Sequence, residues 1–456
     1  MSDDGVERMP RRGVSLTVLI VNQLLAGVGV ASGMALAAIL VVDLTESVAM
    51  GGLAQSSSVL GAAIAAVPLA RLAVRSGRHV ALATGYACAF VGAVLVVASA
   101  ASGWPVFVFI GLAAFGAAAA AGLQARFAAT EIAAPGFEAR SMSLVLWATT
   151  IGSVAGPLLS QVGDEFGRGL GLPALVGPFV FSAVAFALST VLVATLLRTP
   201  KAGRLAMDAA GETDGAAVMD AAGATDPSAA AAEAIDPAEP TRPGEPATTI
   251  LAADEPRIGA WQALRMAVRE PAALVAILAI VCSHTVMVGV MVMTPVHMTE
   301  HGMSISLVGI VISIHIIGMY GASPFFGWLT DRIGSPSVIA IGVALLVTAT
   351  VIGILAPGDD VLLVPLALGI LGLGWSAGLI GGSTMLTTAT EERLRVPLQG
   401  ATDAAMNVAA AASGALSGLV LGVAGFAGVN VVAILVLVPL VIAGLRLRLV
   451  RRSATA

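Results

Sequence analysis

Charge is scarce in this chain. Asp, Glu, Lys and Arg together make up 11% of its 456 residues, against 57% apolar residues and a mean hydropathy of +0.95. That balance excludes a water-soluble domain and leaves a polytopic membrane protein. Thiols are scarce too. The two cysteines, Cys88 and Cys282, each lie inside an apolar stretch, a setting for structural thiols rather than a disulfide. A phosphate loop of the form G-x-x-x-x-G-K-[ST] is missing, so ATP is not the direct energy source. Nothing in the sequence supports an enzyme, a bound cofactor or a nucleic-acid partner, and no signal peptide is evident. The net charge of −5 says little, because the acids are concentrated in one segment.

What is present is length and repetition. Apolar runs long enough to span a bilayer fall at 14–42, 46–70, 79–101, 104–130, 140–163 and 173–198. They resume at 272–298, 304–329, 336–356, 361–389, 396–422 and 426–449. With the N-terminus placed in the cytoplasm, 22 of the 23 Lys and Arg residues fall on the cytoplasmic side, and only Arg168 falls outside. A missed span would scramble this partition, so the positive-inside rule supports twelve spans with both termini cytoplasmic. The 52 glycines allow helix backbones to approach closely in a bilayer.

The expected organisation is a cytoplasmic N-terminus (1–13), a six-helix bundle (14–198), a cytoplasmic linker (199–270), a second six-helix bundle (271–449) and a cytoplasmic C-terminus (450–456). Residues 208–256 carry eleven acids and one arginine, Arg242, among Ala and Pro. Such a segment cannot bury enough surface to fold and reads as a disordered tether. Beyond it, Trp261, Leu264 and Val268 share one helical stripe beside Arg265 and Arg269, which predicts an interfacial helix leading into span 7.

Two loops carry an internal repeat. After span 8 the chain reads Gly327-Trp-Leu-Thr-Asp331-Arg332-Ile-Gly334; after span 2 it reads Arg71-Leu-Ala-Val-Arg75-Ser-Gly77-Arg78. The loops sit 257 residues apart, at the same place in each half. The first resembles the G-x-x-x-D-R-x-G signature of the major facilitator superfamily. The second keeps the Arg-x-Gly-Arg end but lacks the leading glycine and the aspartate. This resemblance implies an all-α membrane fold of twelve transmembrane helices in two six-helix bundles with pseudo-two-fold symmetry. It also implies that the loops latch the cytoplasmic ends of the two halves. In span 5, Gly152, Gly156 and Pro157 are similar to part of a motif of proton-coupled drug exporters, although small-xxx-small spacing also serves helix packing.

Soft metal ligands cluster around spans 7 and 8. Four of the five histidines (His284, His297, His301, His315) and six of the sixteen methionines fall between residues 284 and 319. Met287 and Met291 are an i, i+4 pair on span 7, and His315 and Met319 are another on span 8. At 1.5 Å per residue, Met287 and His315 each lie roughly 15 Å below the outer ends of their spans, near the bilayer middle. Thioethers favour Cu(I), and imidazole tolerates both copper states. His284 lies three residues before Met287 and could extend the set. His297, Met298, His301 and Met303 could form an outer funnel.

The M-x-x-x-M and H-x-x-x-M constellation resembles the CcoA-like copper importers of the same superfamily, a family that also contains riboflavin importers. The resemblance implies a secondary active transporter of the bacterial inner membrane, working by alternating access. It further implies copper as cargo, with riboflavin or another organic solute, or drug or metabolite export, as alternatives. A monomer is expected, with the lipid bilayer and the transported solute as its partners.

Asp403 is the only carboxylate well inside a predicted span. It could pair with Arg75 or Arg78 as a cytoplasmic latch, replacing the aspartate missing from the loop after span 2, or it could couple a proton. Asn22, Gln23 and Gln55 could line a cavity or bond helices together.

Overall fold

In the computed structural model, residues 12–133, 138–197 and 260–455 are described, and every regular element among them is helical. Spans 1, 2 and 3 are single helices, Arg12–Thr45, Val48–Ser76 and Arg78–Ser102. Span 4 is built from Val106–Phe115 and Ala117–Ile132. Span 5 is Glu138–Leu158, and span 6 is Gly177–Leu196. In the second half, spans 7, 9 and 10 are Pro271–Glu300, Ser335–Leu355 and Leu363–Ala389. Span 8 runs through Ile305–Ile316, a π-helical turn Ile317–Gly321 and Ser323–Ile333. Spans 11 and 12 form one helical run, Glu392–Thr455, broken at Gly425 (φ 65°, ψ −174°). Among the described residues, ten helices are long and apolar enough to cross a membrane. One of them, Pro397–Val450, is 54 residues long and makes two crossings across Gly425, and the interrupted apolar helix of span 4 supplies a further one.

Two expectations need adjusting. Span 5 ends at Leu158 rather than continuing to 163, and a separate short helix, Ser160–Gly169, follows. Its Asp164 is buried, pairs with Arg168 and accepts the Leu175 backbone N–H. The arginine that stood apart in the charge partition is therefore held by a carboxylate four residues before it. The helix before span 7 is Ala260–Ala267. It packs on the spans 11–12 run through Ala263 and Ala267, whereas Trp261 is exposed with the Arg265 guanidinium over its ring at 5.2 Å. The acidic segment 208–256 and the side chains of Arg126 and Glu131 lie outside the described residues.

The two halves meet by glycine contacts. Span 2 packs on span 11, where a methyl group built on Gly52 would stand 2.0 Å from the Gly414 carbonyl oxygen. Span 5 packs on span 8, where a methyl on Gly309 would stand 2.2 Å from the Pro157 carbonyl oxygen. Two hydroxyls bond across the same seams, Ser56 to Ala411 O at 2.7 Å and Ser313 to Val154 O at 2.8 Å. These contacts lie away from the Arg75–Arg78 and Asp331–Gly334 loops. At the basic end, Ser323–Ile333 packs on spans 9 and 10 of its own half. These glycine and hydroxyl contacts hold the two halves together toward the end away from the basic loops.

Candidate functional site

The repeat is visible in backbone geometry. Gly77 (φ 94°, ψ 155°) and Gly334 (φ 81°, ψ 149°) hold nearly the same positive-φ conformation. Each donates its N–H to the carbonyl four residues earlier, of Ala73 and Thr330 respectively. A side chain there would be strained, which explains the glycine at both positions. Three charged residues of these loops face outward in this conformation. Arg75, Asp331 and Arg332 are exposed, and the Arg332 guanidinium sits 5.1 Å over the Trp328 ring. A methyl on Gly327 would meet nothing within 4 Å, so close packing is not the role of that glycine here.

Arg78 donates to Gln124 Oε1 at 2.6 Å, and the Asp403 backbone carbonyl accepts the Asn407 amide at 3.0 Å. Gly152 and Gly156 pack span 5 onto span 1. A methyl on Gly152 would stand 2.4 Å from Leu24 O, and one on Gly156 2.7 Å from the Ala31 methyl.

A cavity of about 120 Å³ lies between the halves. Spans 1, 2, 5, 7 and 8 line it, through residues that include Met34, Ala38, Gln55, Pro157, Met291 and Ile312. Gln55 is its polar side chain. Asn22 and Gln23 are not part of it: both are buried in a network inside the first half. There Tyr86 donates to Gln23 Oε1 at 2.7 Å, Asn22 donates to Tyr86 at 3.2 Å, and Gln23 donates to Thr149 at 3.1 Å.

Of the four soft-ligand residues, Met291 lines the inter-half cavity, and the other three do not. Met287 and Met319 are buried in the core of the second half. His315 is fully buried and turns toward span 10, with Nδ1 2.8 Å from Leu368 O. A carbonyl only accepts, so Nδ1 carries the proton and Nε2 presents a lone pair. That Nε2 is buried and has no hydrogen-bond partner. His315 and Met319 are also not related by a plain α turn, because the π turn begins at Ile317.

His284 has a different role from the one expected. Its Nδ1 accepts the indole N–H of Trp375 at 2.9 Å, so its other nitrogen carries the proton and offers no lone pair to a metal. Trp375 is buried, and Tyr320 from the π turn meets its ring edge-on at 5.6 Å. The sequence reading missed this partner. A lone indole N–H amid Gly369, Gly372, Gly374 and Gly378 was the available signal, since a buried Trp in a membrane needs an acceptor. Among the described residues, no group of three or more His, Cys, Asp or Glu could hold a metal ion.

Comparison with known proteins decides the family. The Major Facilitator Superfamily model matches residues 18–304 and 276–456. The chain belongs to the major facilitator superfamily. A major-facilitator-type transporter of uncharacterized function from Bacillus subtilis, YdeG, is 32% identical over 432 residues, 94% of this chain and 91% of that relative. The riboflavin transporter RfnT of Brucella anthropi is 33% identical over 178 residues, 38% of this chain and 44% of that protein. Among solved structures, the nucleoside transporter NupG superposes with a TM-score of 0.65 at 15% identity, covering 95% of this chain and 98% of that one. At that identity the likeness shows the fold. This facilitator is a multi-pass membrane transporter.

Proposed function

We propose that this facilitator is a secondary transporter working by alternating access, and that it carries copper inward across a bacterial inner membrane. The basic loops and both termini face the cytoplasm on this reading, so the glycine seams between the halves close the outward side.

The observation that carries the copper reading is the state of His315. Its Nδ1–H is committed to Leu368 O, and its Nε2 lone pair is buried without a donor. Metal-binding histidines are oriented in this way, by a hydrogen bond on the nitrogen that does not touch the metal. An orphaned acceptor costs about 1–3 kcal/mol, and a cation removes that cost. Met287 and Met319 are buried in the same half, and Met291 borders the cavity through which an ion would arrive. Loading then requires span 8 to turn at its π segment, because Nε2 is sealed in this conformation.

A second reading is an organic solute such as riboflavin. The mostly apolar cavity lining favours it, as does the partial similarity to RfnT. Radioactive copper uptake run beside riboflavin uptake separates the two. The copper reading expects uptake of copper that falls in Met287→Leu plus Met291→Leu, a change that keeps volume and removes sulfur. It expects His315→Ala to cost more than any single Met→Ala. Riboflavin uptake without copper uptake, at normal protein level, removes copper as cargo.

A further inference from the structure

The far end of the second half carries a pair of imidazoles that the substrate reading does not use. His297 and His301 stand one turn apart at the end of span 7, with ring centroids 4.3 Å apart. The His297 ring also stacks flat on Phe426 of span 12, at 4.3 Å and 8°. His301 is exposed, and its Nδ1 is 2.8 Å from the carbonyl oxygen of His297. That bond protonates Nδ1 and leaves the Nε2 lone pair available. No hydrogen bond among the described residues occupies a ring nitrogen of His297.

A second observation lies beneath the pair. A cavity of about 10 Å³, close to the room one water needs, is lined by His297, Thr294, Phe426 and Asn430. Asn430 is fully buried, and its Oδ1 has no donor. A methyl on Gly353 would stand 2.7 Å from that oxygen, so span 9 closes the cavity floor tightly.

We propose that His297 and His301 chelate a divalent transition-metal ion at this end, with a metal-bound water in the small cavity donating to Asn430 Oδ1. The separation selects among metals. Two imidazoles about 2.1 Å from one ion put their centroids about 4.5 Å apart at a right angle and about 5.2 Å apart at a tetrahedral angle. The observed 4.3 Å fits the right angle of tetragonal Cu(II) or Ni(II) better than tetrahedral Zn(II). A bound ion would tie the end of span 7 to span 12 through Phe426 and to the loop before span 10, where Gly358 packs over the His301 ring.

This inference does not rest on copper as cargo, and nickel keeps the two apart, because thioethers select Cu(I). The experiment is equilibrium binding of Ni(II) to the purified full-length protein in detergent. One ion per chain is expected for the parent and equally for Met287→Leu plus Met291→Leu. His301→Gln, at an exposed position, should weaken binding at least tenfold while thermal unfolding without metal stays unchanged. His297→Gln plus His301→Gln should abolish it, and Zn(II) should bind the parent more weakly than Ni(II). Failure of the parent to bind Ni(II) at micromolar concentration, or unchanged binding in His301→Gln, overturns the proposal.

Discussion

The seam between spans 2 and 11 gives a prediction with its own control. Three glycines meet there, and they are not equivalent. A methyl on Gly52 would stand 2.0 Å from Gly414 O and 3.1 Å from Gly418 N. A methyl on Gly418 would stand 2.6 Å from Ala49 O and 3.0 Å from Gly52 N. A methyl on Gly414 would have Gly52 O and Ser56 Oγ at 3.5 Å, which is ordinary contact. The clashes of the first two are with backbone, which yields only if the helices part. Forced overpacking of this kind costs about 1–3 kcal/mol. The cost applies only to the conformation closed at this end. Gly52→Ala should therefore shift the ratio of closed to open forms by about 5- to 150-fold toward opening. Gly418→Ala should do nearly the same, and Gly414→Ala almost nothing. The helix-propensity gain of Gly→Ala, about 1 kcal/mol, is present in both forms and cancels.

Spin labels at positions 47 and 424, at the ends of spans 2 and 11, read this shift as a distance distribution. Cys88 is exposed and must first be replaced, for example by Ser. Equal distributions for all three variants and the parent would refute the claim that backbone contact at this seam sets the closed state. So would a shift in Gly414→Ala as large as that in Gly52→Ala.

Trp375→Phe keeps a ring but leaves His284 Nδ1 buried without its donor, so thermal unfolding should show a loss of about 1–3 kcal/mol, largely absent when His284→Phe is added. Asp360 accepts the N–H groups of Leu363 and Leu362 at 2.8 Å each, and these bonds hold its carboxyl below the usual carboxylate range. Its contribution is present above the unfolded carboxylate range and lost as pH falls through the lowered folded value, so Asp360→Ala should lower Tm at pH 7 and lose its effect in acid. A cysteine at position 359, in a Cys88→Ser background, should react with an impermeant maleimide from outside the cell; reaction only from the cytoplasm would reverse the orientation.

Most of the helical framework was legible because lipid leaves little choice. A backbone in hydrocarbon must bond to itself, so each long apolar run becomes a helix. The breaks were harder to read, although each has a local cause. Pro324 lacks an N–H for the Tyr320 carbonyl, and its ring would crowd that oxygen. The helix therefore widens at Ile317–Gly321 and restarts at Ser323, with the proline in its first turn. The pattern H-x-x-x-M assumes an unbroken α turn, and that one proline spoils the assumption. Gly425 likewise separates two crossings that apolar character alone runs together. The paired glycines of the basic loops were legible as a repeat, and their matching positive φ supplies the reason.

The candidate site was less legible, because a sequence shows which side chains can bind but not which are already committed. His284 and His315 look alike in the sequence. In the fold both turn toward span 10, with opposite consequences. Trp375 is a donor, so it takes the lone pair of His284 and leaves a proton on the far nitrogen. Leu368 O is an acceptor, so it takes the proton of His315 and leaves a lone pair. Span 10 thus removes one histidine from metal chemistry and prepares the other for it. The same span makes that preparation rigid: a methyl on Gly372 would stand 2.4 Å from His315 O, and one on Gly318 would stand 2.7 Å from Gly369 O. With backbones this close, the His315 backbone stays against span 10 unless the π turn itself moves. On the proposed reading, exposure of Nε2 to the cavity and movement of span 8 are therefore one event, which ties cargo binding to the change of access.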